Sequence, residues 1–153
     1  MNRRTVLFTL TGAGSIAVVS RAGRSASLPP MTVFRNPGCG CCEGWVAAMR
    51  EAGFTVTVED VSNLMERRTA FELKPAEASC HFGVADGYVF EGHIPPRTIT
   101  RFLTERPAGA KGLAVPGMPA GSPGMGPEGS GGPYDVLLLQ KDGSSRVYTT
   151  HQT

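Results

Sequence analysis

Residues 31–58, MTVFRNPGCGCCEGWVAAMREAGFTVTV, set the architecture of the chain. Met31 to Phe34 is a short strand-forming run, and Arg35 to Gly40 carries Pro37, Gly38 and Gly40 as turn formers. From Cys42 to Ala52 the apolar residues Trp45, Val46, Met49 and Ala52 fall at helical spacing; Gly53 supplies a stop and Phe54 to Val58 alternates as a strand. The stretch predicts a β-α-β unit with Cys39, Cys41 and Cys42 at the junction of strand and helix.

Downstream, Ser62 could cap a second helix running to about Leu73, with Leu64, Met65 and Phe71 inward and Pro75 ending it. Cys80 to Gly92 reads as a hairpin around Ala85-Asp86-Gly87, and Pro95-Pro96 opens a helix with Ile99, Phe102 and Leu103 on one face, closed by Pro107. Asp135 to Leu139 and Arg146 to Thr149 form a last hairpin through Lys141-Asp142-Gly143-Ser144. Strand, helix, strand, helix and then hairpins predict an α/β sandwich of thioredoxin-like type, with a C-x-C-C loop at the N-terminus of its first helix.

A chain of 153 residues suffices for one domain. Its 15 basic and 13 acidic residues give +2, but Arg3, Arg4, Arg21 and Arg24 all lie in residues 1–27, leaving 28–153 slightly acidic. A nucleic-acid binder would carry its basic excess on the folded domain, so that class is excluded. Residues 1–27 read as an export signal: the basic start Asn2-Arg3-Arg4, an apolar run from Val6 to Val19 too short to span a membrane, and small residues at Ser25-Ala26-Ser27. Arg3-Arg4-Thr5-Val6-Leu7 has the look of a twin-arginine signal. The expectation is export to the periplasm with no membrane span after signal cleavage, leaving a metal-binding domain over 28–153. Within it, residues 107–133 hold 15 of the chain's 32 glycines and prolines and read as one long loop.

In an oxidising compartment crowded thiols are either disulfides or metal ligands. Cys39 and Cys42 form a C-x-x-C, but a disulfide exchanger needs only two thiols, and Cys41 would compete with them. Soft sulfur selects Cu(I), with Zn(II) the weaker competitor, and adjacent cysteines can bridge several ions. Cys80 could join them if its hairpin folds back, or could instead pair with Cys42 or pack inward. His81 and His93 are further candidate ligands, His93 equally readable as a turn residue. Met118, in Pro116-Gly117-Met118, offers a thioether or merely fills a gap.

Several ordered blocks carry a resemblance: Asn36-Pro37-Gly38-Cys39-Gly40-Cys41-Cys42 with Trp45, Ser79-Cys80-His81, Gly87 to Pro95, Gly112 to Pro119, Gly121 to Met125, and Tyr134-Asp135-Val136. On these the chain resembles the CopG-type family of periplasmic copper proteins, long catalogued as a domain of unknown function. The resemblance implies a thioredoxin-like fold, copper held by Cys39, Cys41, Cys42 and Cys80, and a role in copper tolerance beside other periplasmic copper-handling proteins. Cycling between Cu(I) and Cu(II) would follow from a metal-capable thiol cluster. The rivals are a metal-independent thiol–disulfide oxidoreductase, with Cys39 attacking and Cys42 resolving, and a structural zinc module.

Overall fold

The computed structural model describes residues 27–152. The export signal read over residues 1–27 lies, apart from Ser27, outside them. The elements in chain order are β1 (Met31–Arg35), α1 (Gly40–Glu51), β2 (Val56–Asp60), α2 (Leu64–Ala70), a 3-10 turn (Pro75–Glu77), β3 (His81–Ala85), β4 (Tyr88–Glu91), α3 (Pro96–Glu105), β5 (Ala110–Ala114), β6 (Tyr134–Gln140) and β7 (Ser145–His151). The fold is mixed α/β, built on one seven-stranded sheet in the order β2-β1-β3-β4-β5-β6-β7. β1 pairs parallel with β2 and β4 with β5; the other four pairings are antiparallel.

Because successive strand residues point to opposite faces, the sheet feeds two cores. Met31 and Val33 of β1, Phe90 of β4 and Val136 and Leu138 of β6 pack with Trp45, Val46 and Met49 of α1 and with Ile99, Phe102 and Leu103 of α3. Phe34, Phe82, Val89, Ala114 and Leu139 face the other way and meet Leu64 of α2 and Leu73. Phe82 is stacked on Phe34, with ring centroids 5.0 Å apart, and meets Phe71 edge-on at 5.3 Å. Among the described residues no helix is long and apolar enough to cross a membrane.

The expected elements are present, with four local differences. Phe54 belongs to the turn after α1, its N–H donating to the Met49 carbonyl, so β2 begins two residues later than the alternation suggested. Asn63, not Ser62, caps α2: its side-chain oxygen accepts from the Glu66 N–H at 3.1 Å. That helix is short, ending at Ala70, and it leaves Met65 48% exposed where an inward position was expected. The largest difference lies in the Gly/Pro-rich segment 107–133, because Ala110–Ala114 form a strand in the interior of the sheet. Gly112 explains why composition misled: a Cβ there would sit against the Val89 carbonyl, so only glycine allows β4 and β5 to approach.

Phe82 sits at 0% exposure in a central strand. Replacing it with alanine should cost about 3–5 kcal/mol, whereas Val147→Thr on exposed β7 should stay within about 0.5 kcal/mol. Urea unfolding of the two variants checks this, and similar losses for both would contradict the assignment of the core.

Candidate metal centre

The order of the strands creates the site. β1 runs into the cysteine loop, and β3 lies antiparallel beside it with His81 opposite Arg35, so the start of β3 meets the end of β1. β4 returns antiparallel to β3 and ends where β3 began, carrying His93 to the same end of the sheet. β5 runs parallel to β4 and so releases the loop after Val115 there as well.

Cys39 is the N-cap residue of α1, Cys41 stands in its first turn, and Cys42 is buried. Cys39 and Cys42 are joined by a disulfide, while Cys41 and Cys80 are free. The alternative pairing of Cys80 with Cys42 is therefore not the one formed. The Cys41 sulfur is 3.4 Å from that of Cys39 and 3.5 Å from that of Cys80, and the Cys42 and Cys80 sulfurs are also 3.5 Å apart. All four sulfurs lie within 4.8 Å of one another. The proposed sulfur set is thus brought together in space, with two of its members oxidised. Two-electron reduction of the Cys39–Cys42 bond would free all four to act as donors.

Cys80 belongs to a second group as well. Its sulfur is 3.3 Å from His81 Nδ1 and 3.0 Å from His93 Nε2, and these three residues also form a cluster whose ligand atoms lie within 4.8 Å. His93 Nδ1 lies 2.8 Å from the Pro123 carbonyl, which can only accept, so that nitrogen carries the proton and Nε2 turns its lone pair toward Cys80. Burial lowers the pKa of His93. Burial, and then the neighbouring His93 and Arg68, push that of His81 well below the ordinary value. Both rings are therefore neutral, the form that ligates metal. The Cys80 thiol is pushed up to about 12, first by burial and then by Cys41. Metal-free, it is a proton donor to His93; a cation must displace that proton to gain the sulfur. His81 Nε2 is buried with no hydrogen-bond partner among the described residues. Four sulfurs with two neutral imidazoles, His81 Nδ1 and His93 Nε2 both facing the Cys80 sulfur, are a donor set that fits a soft metal ion.

The rest of the pocket is packing. Trp45 lies against His81 with ring centroids 4.5 Å apart, its indole N–H donating to the Ile94 carbonyl at 2.9 Å, and His81 meets His93 edge-on at 4.8 Å. Residues 121–125 form the roof. A Cβ on Gly124 would stand 2.4 Å from the Cys41 carbonyl and 2.7 Å from the Trp45 nitrogen, and its φ is +84°, so glycine alone lets this loop rest on the first turn of α1. Met118 is placed differently from the other candidates: the residue is 53% exposed, on a loop tied through Gly117 to Ala78 and Ser79.

The family described as "Protein of unknown function, DUF411" matches residues 77–125, which include Cys80, His81, His93 and the roof. No curated protein matches the sequence. Two solved structures do match, forms 2 and 1 of a copper resistance protein copG, at 33% and 32% identity. They cover 81% and 82% of this chain and 98% and 99% of their own, each with a TM-score of 0.76. The chain belongs to the CopG family. Its sulfur cluster and buried histidines lie within the blocks Asn36–Cys42, Ser79–His81 and Gly87–Pro95. Three contributors had gone unread: Pro123, which fixes the tautomer of His93, and the buried pair Arg68 and Glu91, which grips the backbone at Ser79. Nothing in the spacing of Arg68 and Glu91 connects them, since they are 23 residues apart on different elements.

Gly124→Ala should lift the roof from α1 and break the His93–Pro123 hydrogen bond. The His93 Nδ1 proton is expected to give a slowly exchanging NMR signal in the parent protein and to lose it in the variant, with metal retention falling about 10–100-fold. An unchanged proton signal and unchanged retention would refute this role for the loop.

Proposed function

We propose that this chain is an exported, periplasmic copper-binding protein that holds Cu(I) on the thiolates of Cys39, Cys41, Cys42 and Cys80 in copper resistance. His81 and His93 add imidazole donors on the other side of Cys80. The observation that carries the reading is the sharing of Cys80 between an all-sulfur group and a sulfur–imidazole group. Such an arrangement can hold more than one ion, with the Cys80 thiolate between them. Thiolate and neutral imidazole are the donors that suit cuprous ion, and the relatives' name ties the family to copper. Thioredoxin-like topology is supported by the order β2-β1-β3-β4, in which β1 pairs parallel with β2 and antiparallel with β3. Export rests on Arg3-Arg4 and the apolar run after them. Other periplasmic copper-handling proteins are the natural donors and acceptors of the ion.

The Cys39–Cys42 disulfide next to two free thiols also supports a redox role. Reduced, this pair can give two electrons by forming its S–S bond, releasing two protons and converting two Cu(II) ions to two Cu(I). Met118 stands on the surface as a thioether contact for incoming ions.

A second reading has its own observation. A Cys-x-x-Cys disulfide at the start of a helix is the arrangement of a protein thiol–disulfide exchanger. Anaerobic titration of the fully reduced protein with Cu(I), in competition with a chromophoric chelator, separates the two. The copper reading predicts tight uptake by the parent and at least about tenfold weaker uptake by Cys80→Ser. Copper-free disulfide reductase activity that survives a Cu(I) chelator, without tight Cu(I) uptake, would favour the exchanger.

A further inference from the structure

The buried ion pair between α2 and β4 does not touch the sulfur cluster, yet it holds the backbone that carries most of the donors. Arg68 and Glu91 have side chains 4% and 0% exposed. The Arg68 guanidinium forms a fork on the carboxylate, Nε to Oε2 at 3.0 Å and a terminal nitrogen to Oε1 at 2.8 Å. The same terminal nitrogen donates to the Ser79 carbonyl at 2.5 Å, and the Ser79 N–H donates to Glu91 Oε1 at 2.7 Å. Both polar groups of the Ser79 backbone, immediately before Cys80, are thus gripped by one ion pair. Glu91 is itself two residues from His93, and between them the Gly92 N–H donates to the His81 carbonyl at 2.9 Å. The two segments that bring Cys80, His81 and His93 together are therefore joined through this pair.

Burying two charges in an apolar layer is costly, and an apolar pair of similar volume is often as stable or more so. Stability alone therefore gives a weak reason for placing a guanidinium and a carboxylate among Leu64, Phe82 and Val89. Fixing an otherwise irregular segment gives a better one. Residues 78–80 lie between the 3-10 turn and β3, outside any regular ladder, and the fork supplies the hydrogen bonds that a strand would otherwise provide.

We propose that Arg68 and Glu91 are positioning residues for the metal centre: their ion pair sets the Ser79–Cys80 backbone so that the Cys80 sulfur stands between the cysteine loop and the two imidazoles. This rests on the copper reading above, and it assigns α2, which contributes no ligand, a direct part in the site. Lysine at position 68 keeps the charge but cannot span both carboxylate oxygens and the Ser79 carbonyl.

The test compares the reduced full-length parent with Arg68→Met/Glu91→Leu, Arg68→Lys and Glu91→Gln, using anaerobic Cu(I) competition and thermal unfolding of the metal-free proteins. The double variant is expected to keep the parent's unfolding temperature and to bind Cu(I) about 10–100-fold more weakly, with a changed thiolate-to-copper absorption spectrum. Arg68→Lys should fall between the two. If the double variant does not fold, Glu91→Gln carries the same expectation. Parent-like affinity and spectrum in a folded variant would overturn the proposal, as would an affinity loss that only follows the loss of unfolding temperature. If the parent itself takes up no Cu(I), the copper reading fails, and it fails separately: the positioning role is then judged on the amide exchange rates of Ser79 and Cys80, which the proposal expects to rise in every variant.

Discussion

The site depends on one topological constraint, the meeting of three chain segments at one end of the sheet. Antiparallel pairing of β1 with β3, and of β3 with β4, brings the cysteine loop, the Ser79-Cys80-His81 entry and the Glu91-Gly92-His93 exit together. Parallel pairing of β5 with β4 adds the roof loop at the same end. Cys80, His81 and His93 sit at or within two residues of a strand end, and Cys39, Cys41 and Cys42 sit at the start of α1. Cys80 is the common point, and its sulfur lies 3.0–3.5 Å from Cys41, Cys42, His81 and His93.

The electrostatics of the pocket match capture of a soft cation. Burial keeps His81 and His93 neutral and holds Cys80 as a thiol in the absence of metal. A partly buried thiolate left alone would be costly, and a half-buried thiol that gives up its proton only to a metal avoids that cost. The imidazoles are also held in place: His93 Nδ1 is committed to the Pro123 carbonyl, and His93 Nε2 and His81 Nδ1 face the Cys80 sulfur.

Much of this was legible in the sequence because it is local. The β-α-β unit, the hairpin at Asp86-Gly87 and the proline-opened α3 follow from periodicity and turn chemistry within short windows. The cysteine cluster was readable because three of its members fall within four positions. Cys80, His81 and His93 could be nominated by residue type, but their convergence required strand pairing across about 40 residues. β5 was hidden for a related reason: Gly112 reads as a loop residue, yet it is there because a neighbouring backbone leaves no room for a Cβ. Met65 shows the opposite failure, since a side chain that read as core stands about half exposed. Arg68 and Glu91 left no local trace, because a buried ion pair is defined by the packing of two distant elements.

The central claim is that the four cysteines and the two buried imidazoles form one copper centre, joined through Cys80. X-ray absorption at the copper edge, on reduced protein loaded anaerobically with Cu(I), tests it most directly. The account predicts a coordination shell dominated by sulfur with a nitrogen contribution that falls when His93 is replaced by alanine and disappears when His81 is replaced as well. A shell of nitrogen and oxygen alone, or one indifferent to both Cys80 and His93, would contradict it.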